Sequence, residues 1–175
     1  MDGKKPKLTS HMPGGLDRHP HIKTMVRGDN FVPIERLVRM NHKEWYRNND
    51  SYSGIASYAQ SWSLVYFLRQ GMLGKVSGKV WEKEYANIIP NYTQHLLAGY
   101  QEAHQTIRKE ISEVIQKAGG ESNIPEKDLE RLKTIRVNDE TKMKIWTKAT
   151  AESWGKIEEE EFQKNWETYV LKYMK

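Results

Sequence analysis

The chain has 175 residues, enough for one domain with a substantial core, and its 37% hydrophobic and 29% charged residues predict a soluble globular protein. Because it contains no cysteine, disulfide scaffolds, zinc fingers, iron–sulfur clusters and thiol nucleophiles are excluded, while the compartment stays open. The net charge of +5 comes from scattered residues, so we expect no nucleic-acid partner. No apolar run approaches the roughly 20 residues that would span a bilayer, and no apolar segment follows the basic N-terminus as in a signal peptide.

The N-terminal part differs in pattern from the rest of the chain. Residues 1–30 contain several Pro and Gly and little periodicity, which predicts an extended or poorly ordered segment. Helical signals begin at Pro33, a residue favoured at the first position of a helix, and Asn41 can cap a second short helix. We therefore interpret residues 31–175 as a single helical domain.

The most distinctive helix is predicted over residues 53–72. Apolar side chains recur on it in two stripes, Ile55, Ala59, Trp62 and Tyr66 in one and Tyr58, Val65, Leu68 and Met72 in the other. Together the stripes cover most of the circumference, which predicts a buried helix at the centre of the fold. We expect Gly71 and Gly74 to end it.

Further amphipathic segments follow in chain order. They begin near Trp81, Tyr92, Glu126, Asp139 and Glu158, with an interruption at Pro90 and a stop at Gly119 and Gly120. No alternating strand pattern and no internal repeat is found in the sequence. The sequence therefore predicts an all-α fold, an irregular bundle of about six to seven helices around the helix at 53–72.

Familiar catalytic signatures are missing from the sequence, including G-x-S-x-G, Gly-rich phosphate loops, dinucleotide fingerprints and H-E-x-x-H. His19 and His21 are too few to complete a zinc site by themselves. The run Glu158 to Glu161 cannot converge on one ion, because consecutive helical residues point in different directions, and it suits the positive end of a helix dipole instead. We accordingly expect no metal and no cofactor bound by this chain alone.

The central segment, Tyr58 to Leu68, reads Tyr-Ala-Gln-Ser-Trp-Ser-Leu-Val-Tyr-Phe-Leu. It resembles the helix after the zinc-binding elements of gluzincin metallopeptidases, which in the aminopeptidase branch has the pattern Tyr-x-x-small-aromatic-small-Leu-aliphatic-aromatic-aromatic-Leu. It is more similar still to a bacterial family of uncharacterised gluzincin-like proteins. That family has a Pro-Leu-x-x-Leu-Leu-type segment, an aromatic pair, the motif Tyr-Ala-Gln-Ser/Ala-Trp-x-Leu-Val-x-Phe-Leu, and a closing Trp-x-x-Tyr-Val.

This chain carries the same elements in the same order, as Pro33 to Val38, Trp45-Tyr46, Tyr58 to Leu68, and Trp166 to Val170. The resemblance covers about residues 31–175, with the region from Gly119 to Asn138 as an elaboration.

The resemblance implies a role for Tyr58. In gluzincins the matching tyrosine donates its phenol proton to the oxyanion of the zinc-bound tetrahedral intermediate, and an aimed donor of this kind is typically worth about 2.7–4 kcal/mol. The alternative interpretation is that Tyr58 is a core or rim aromatic. The family's H-E-x-x-H helix and its downstream Glu lie N-terminal to this motif, and neither is present here. Zinc is therefore expected only in a longer relative, and this chain alone should be catalytically inactive.

Three functional hypotheses are weighed, the third being nucleic-acid binding through the mild positive charge, which would depend steeply on salt and which the scattered charges disfavour. In the leading one, the chain is the C-terminal helical part of a gluzincin-like zinc metallopeptidase, and its partner is the N-terminal catalytic half of the same protein. The alternative is a stand-alone helical module for protein–protein interaction, which would present an exposed apolar patch.

Overall fold

The structure is a computed structural model that describes residues 18–41, 43–45 and 56–174. Within these ranges it contains helices and no strand, so the all-α prediction is confirmed. The α-helices are α1 Arg18–Arg27, α2 Ile34–Leu37, α3 Ala56–Met72, α4 Ile88–Lys117, α5 Glu126–Lys133, α6 Asp139–Trp154 and α7 Glu159–Lys172, with 3-10 helices at Lys83–Asn87 and Glu121–Asn123.

Two local predictions need correction, the extended conformation of residues 18–27 and the interruption of a helix at Pro90. Residues 1–17 of the segment predicted to be extended lie outside the described residues, but Arg18–Arg27 forms a helix whose Ile22, Met25 and Val26 are buried. Pro90 does not interrupt a helix, because it lies in the first turn of α4. A proline is tolerated there since the amide groups of the first turn have no partner within the helix.

The chain divides into two compact units by its internal contacts. The first, here called the core unit, contains residues 1–86 and 156–175, and the second, here called the hairpin unit, contains residues 87–155. The interpretation of residues 31–175 as a single helical domain stays a prediction.

In the core unit, α3 packs against α1 and α7, and α2 packs against α7. Phe67 of α3 is fully buried among four aromatic rings with centroids 5.0–6.3 Å away, those of Trp81, Tyr85, Phe162 and Tyr169. Gly71 does not end α3 but lets the ring of Trp81 approach, because an added Cβ would lie 2.0 Å from that ring. The chain leaves the helix at Gly74, whose φ of 68° is accessible to glycine at little cost.

α3 is the central helix of the core unit, as predicted for residues 53–72, although residues 53–55 lie outside the described ranges. Its burial is one-sided. The stripe predicted to be buried through Tyr58, Val65 and Met72 is 46%, 49% and 45% exposed at these residues, while Leu68 is buried. The buried side instead includes the polar residues Ser57, Gln60 and Ser63.

The hairpin unit is built on the packing of α4 against α6. The two helices approach closely at Gly99, where an added Cβ would lie 2.8 Å from a methyl carbon of Ile145. Asn138 caps α6 by accepting a hydrogen bond from the backbone N–H of Thr141 at 2.8 Å. The buried apolar side chains of the unit are Ile88, Val137, Ile145, Ala149 and Trp154.

Candidate functional site

Gln60, in the middle of the motif, holds the backbone of Val32 in place through two hydrogen bonds. Its side chain is fully buried on α3, and its carboxamide oxygen accepts a hydrogen bond from the backbone N–H of Val32 at 3.0 Å. The carboxamide nitrogen donates to the carbonyl of the same residue at 2.5 Å. Both polar backbone groups of Val32 are thereby paired, which fixes the segment that leads into α2.

Ser63 and Trp166 form a second buried link. The indole N–H of Trp166 donates to the hydroxyl of Ser63 at 3.1 Å, and that hydroxyl donates to the carbonyl of Gln60 at 2.8 Å. A small residue is required at Ser63 because the large ring of Trp166, itself fully buried, lies against α3 at this point. The link therefore joins the central motif to the closing Trp-x-x-Tyr-Val element on α7.

The segment after Val32 is held by α7 as well. Gln163 accepts a hydrogen bond from the N–H of Ile34 at 3.0 Å through its carboxamide oxygen. Arg39 donates two hydrogen bonds to the carboxylate of Glu159, at 2.9 and 2.5 Å, and this interaction raises the pKa of the guanidinium. The structure thus brings the Pro33 segment, α3 and the closing element of the motif together in one unit.

Tyr58 lies in the first turn of α3 and is 46% exposed, so within the alternative of a core or rim aromatic it occupies a rim position. Its ring makes an edge-to-face contact with Trp45, with centroids 4.4 Å apart and planes at 84°. Such a contact orients the ring of a partly exposed tyrosine. Trp45 belongs to the aromatic pair of the motif, and its neighbour Tyr46 lies outside the described residues.

Tyr58 is one member of an apolar surface that we call the Tyr58 face, consisting of Tyr58, Trp62, Val65 and Met72. Their spacings of four, three and seven residues place them on one side of a helix. Trp62 is partly exposed, and its ring stacks on Tyr66 with centroids 5.2 Å apart. His19 of α1 lies beside this pair, 5.1 Å from the Trp62 ring.

Two other tyrosines of the core unit, Tyr85 and Tyr169, are buried and have a raised pKa. Burial raises the pKa of Tyr85 to about 12, although the hydrogen bond donated by Asn165 at 3.0 Å opposes the shift. Burial likewise raises the pKa of Tyr169 to about 12. Both of these side chains are buried in the aromatic core, whereas Tyr58 is 46% exposed.

The histidines and acidic residues predicted not to form a metal site are distributed through the fold. His19 and His21 are both on α1, and Glu159, Glu160 and Glu161 occupy the first turn of α7. In the part of the chain that the structure describes, no group of three or more His, Cys, Asp or Glu side chains is arranged to hold a metal ion.

Comparison with protein-family models, with curated proteins and with solved structures gives no match for this chain. Among the described helices, none is both long enough and apolar enough to cross a bilayer.

Sequence reasoning identified Tyr58 but missed Gln60 and Ser63 as the residues that position α3. Their polarity marks them as surface residues by type. A usable signal was available, because both fall on the same side of the helix as Phe67 and Leu64 rather than on an exposed polar side.

Proposed function

We propose that this chain is the helical part of a gluzincin-like metallopeptidase and that the Tyr58 face is the surface that meets the catalytic half of the same protein. The observation that carries the proposal is the one-sided exposure of α3, the helix with the gluzincin-like motif. Its buried side is tied to α7 and to Val32 through Gln60 and Ser63. Its other side presents Tyr58, Val65 and Met72, each close to half exposed.

An exposed row of this kind suits an interface within a larger protein. Large aromatic and aliphatic side chains on one side of a helix are costly to leave in water, and they gain free energy when a complementary surface covers them. Trp62 and Tyr58 also have the amphipathic character that is enriched at the centres of interfaces.

The proposed role of Tyr58 is to donate a hydrogen bond from its phenol to a developing oxyanion. This requires a neutral phenol on a rigid support, and the first turn of a helix anchored by buried hydrogen bonds provides one. The ligands for zinc in a gluzincin would have to come from another part of the same protein, because the described residues do not form a metal site.

The first test is the reading frame that encodes the chain. An H-E-x-x-H sequence followed by a downstream Glu, encoded ahead of residue 1 in the same frame, is the expected result. An in-frame stop codon directly ahead of residue 1 would overturn the enzymatic proposal.

The second test uses the complete reading frame. Its product should bind zinc and hydrolyse peptides, and Tyr58→Phe should lower kcat by about 10²–10³-fold with little change in KM, as for the loss of an oxyanion donor. Tyr173→Phe is the matched control, because Tyr173 is also exposed but lies at the end of α7. Equal losses in the two variants, or no loss in either, would contradict the role of Tyr58.

The alternative function, a stand-alone helical interaction module, is favoured by the same exposed face. It differs in predicting that the chain alone binds a separate protein through Val65 and Met72. The hypotheses separate when Val65→Glu is made in the complete product. If the unmutated product is a peptidase and Val65→Glu abolishes that activity, the gluzincin-like proposal is supported. If the unmutated product has no peptidase activity, or if the variant keeps it, and the variant loses binding to a separate protein, the module is supported.

A further inference from the structure

The position of Tyr58 on α3 does not by itself fix the direction of its phenol. The residue lies in the first turn of the helix and is 46% exposed, so the backbone sets only where the side chain begins. A tyrosine side chain on a helix has more than one staggered rotamer open to it. A hydrogen-bond donor contributes most to a reaction when it is already aimed at the place where charge develops. A second side chain that holds the ring of Tyr58 would therefore decide how well the phenol can act.

Trp45 makes such a contact with Tyr58. The two rings meet edge to face, with centroids 4.4 Å apart and planes at 84°. Two aromatic rings favour this arrangement because the positive edge of one meets the negative face of the other. Rotation of Tyr58 about its Cα–Cβ bond would break the contact. Trp45 therefore favours one rotamer of Tyr58 over the others.

Trp45 is carried by a turn that is closed by reciprocal hydrogen bonds. The side-chain oxygen of Asn41 accepts from the backbone N–H of Glu44 at 3.0 Å, and the carboxylate of Glu44 accepts from the backbone N–H of Asn41, also at 3.0 Å. The N–H of Trp45 itself donates to the carbonyl of Asn41 at 2.9 Å. This is the pattern of a capping box, which satisfies amide groups at the start of a helical turn. We call it the capped turn.

The segment that precedes the capped turn is tied to the rest of the core unit. Arg39 donates to the backbone carbonyl of Glu35 at 2.8 Å and to both carboxylate oxygens of Glu159 on α7. The opposite side of α3 is also linked to α7 by a buried hydrogen bond. The two rings of the contact are thus supported from two directions by elements that pack against the same helix.

We propose that Trp45 is a positioning residue for Tyr58 and that the capped turn fixes the direction in which the phenol points. Trp45 acts through the ring of Tyr58 and does not itself meet a substrate. The catalytic consequence rests on the proposed function of Tyr58, whereas the effect on its rotamer does not. The two parts are therefore tested by separate experiments.

The rotamer of Tyr58 is measured on residues 1–175 without any catalysis. The three-bond NMR couplings between the α and β protons of Tyr58, assigned with Tyr58→Phe, should indicate one rotamer in the wild type. Trp45→Leu should average these couplings, and Trp45→Phe, which keeps an aromatic ring, should largely preserve them. Trp146→Leu in the hairpin unit is the matched control and should leave them unchanged.

A variant with both rings in place guards against loss of folding. Glu44 is exposed, so Glu44→Ala should open the capped turn without unfolding the chain, which circular dichroism would verify for every variant. Its Tyr58 couplings should lie between those of the wild type and those of Trp45→Leu. Couplings that stay at the wild-type value in both Glu44→Ala and Trp45→Leu would overturn the positioning role.

The catalytic consequence is measured on the product of the complete reading frame. Trp45→Leu should lower kcat by about 10–10²-fold with little change in KM, because the donor is then misaimed in the transition state. Trp45→Phe should recover most of this loss. The double variant with Trp45→Leu and Tyr58→Phe should be no slower than Tyr58→Phe alone, since Trp45 acts through the phenol. Losses that add in the double variant would contradict action through Tyr58.

The two experiments also separate failure of this inference from failure of the proposed function. If the unmutated product is not a peptidase, the proposed function and the catalytic consequence are both overturned, and the couplings still decide whether Trp45 holds the ring. If the product is a peptidase that Tyr58→Phe slows but Trp45→Leu does not, the proposed function stands and the positioning role is overturned.

Discussion

The two units of this protein achieve stability by different means. The core unit joins residues far apart in sequence through buried hydrogen bonds, such as Trp166 to Ser63, and through rings packed around Phe67. The hairpin unit is built on the packing of α4 against α6, with a cap at Asn138 and, on its surface, ion pairs between residues three or four positions apart. The difference indicates that buried polar links specify the packing of the core unit, whereas α4 and α6 pack through apolar side chains and leave a groove between them.

Trp166 should distinguish the units most strongly. Trp166→Ala removes a fully buried ring and leaves the hydroxyl of Ser63 without its donor, so we expect a loss of about 3–5 kcal/mol in the free energy of unfolding. Trp146→Ala in the hairpin unit is the matched control, because Trp146 is only partly buried. Urea unfolding followed by circular dichroism would measure both. Equal losses of unfolding free energy in the two variants would contradict the larger contribution that we expect from the fully buried ring of Trp166.

Gln60 should give an intermediate effect. Gln60→Met keeps the length of the side chain but removes the hydrogen-bond partner of the N–H and the carbonyl of Val32, which are partly buried, and this should cost about 1–3 kcal/mol. Gln101→Met on the exposed side of α4 serves as the control and should change stability by less than about 0.5 kcal/mol. If Gln60→Met proved neutral, the hydrogen bonds to Val32 would not contribute to the stability of the core unit.

The ion pairs should give the smallest difference. Glu159→Gln breaks the bridge between Arg39 and α7, and because Arg39 is half exposed we expect a loss of about 0.2–1 kcal/mol. Glu140→Gln removes a local pair on the surface of α6 and should have no measurable effect. Thermal unfolding at low and high salt would measure the stability of both variants. A larger loss for Glu140→Gln than for Glu159→Gln would contradict the prediction.

Much of the helical structure could be predicted from the sequence, because capping and periodicity act locally. The start of α6 at Asp139 and the stop at Gly119 and Gly120 after α4 are examples. α1 was missed because Pro20 and two histidines resemble a loop, although a proline in a first turn is compatible with a helix. The exposure of Val65 could not be predicted, since an apolar side chain does not reveal whether anything covers it.

For the candidate sites, too, the sequence did not reveal which side chains lie against one another. The family resemblance was sufficient to select Tyr58, but its contact with Trp45 and its exposure depend on tertiary packing. The groove between α4 and α6 was not predicted at all. Its existence depends on the close approach at Gly99, a residue whose role is visible only when Ile145 lies against it.

The bond between Ser63 and Trp166 also has a consequence for the order of folding. The two residues are separated by 103 positions, and residues 156–175 complete a unit whose other part precedes residue 87. During synthesis the contiguous hairpin unit can fold as soon as it leaves the ribosome, while the core unit must wait until α7 emerges. Until then the apolar side of α3 remains uncovered by α7, and exposed apolar surface of this kind favours aggregation of an incomplete chain.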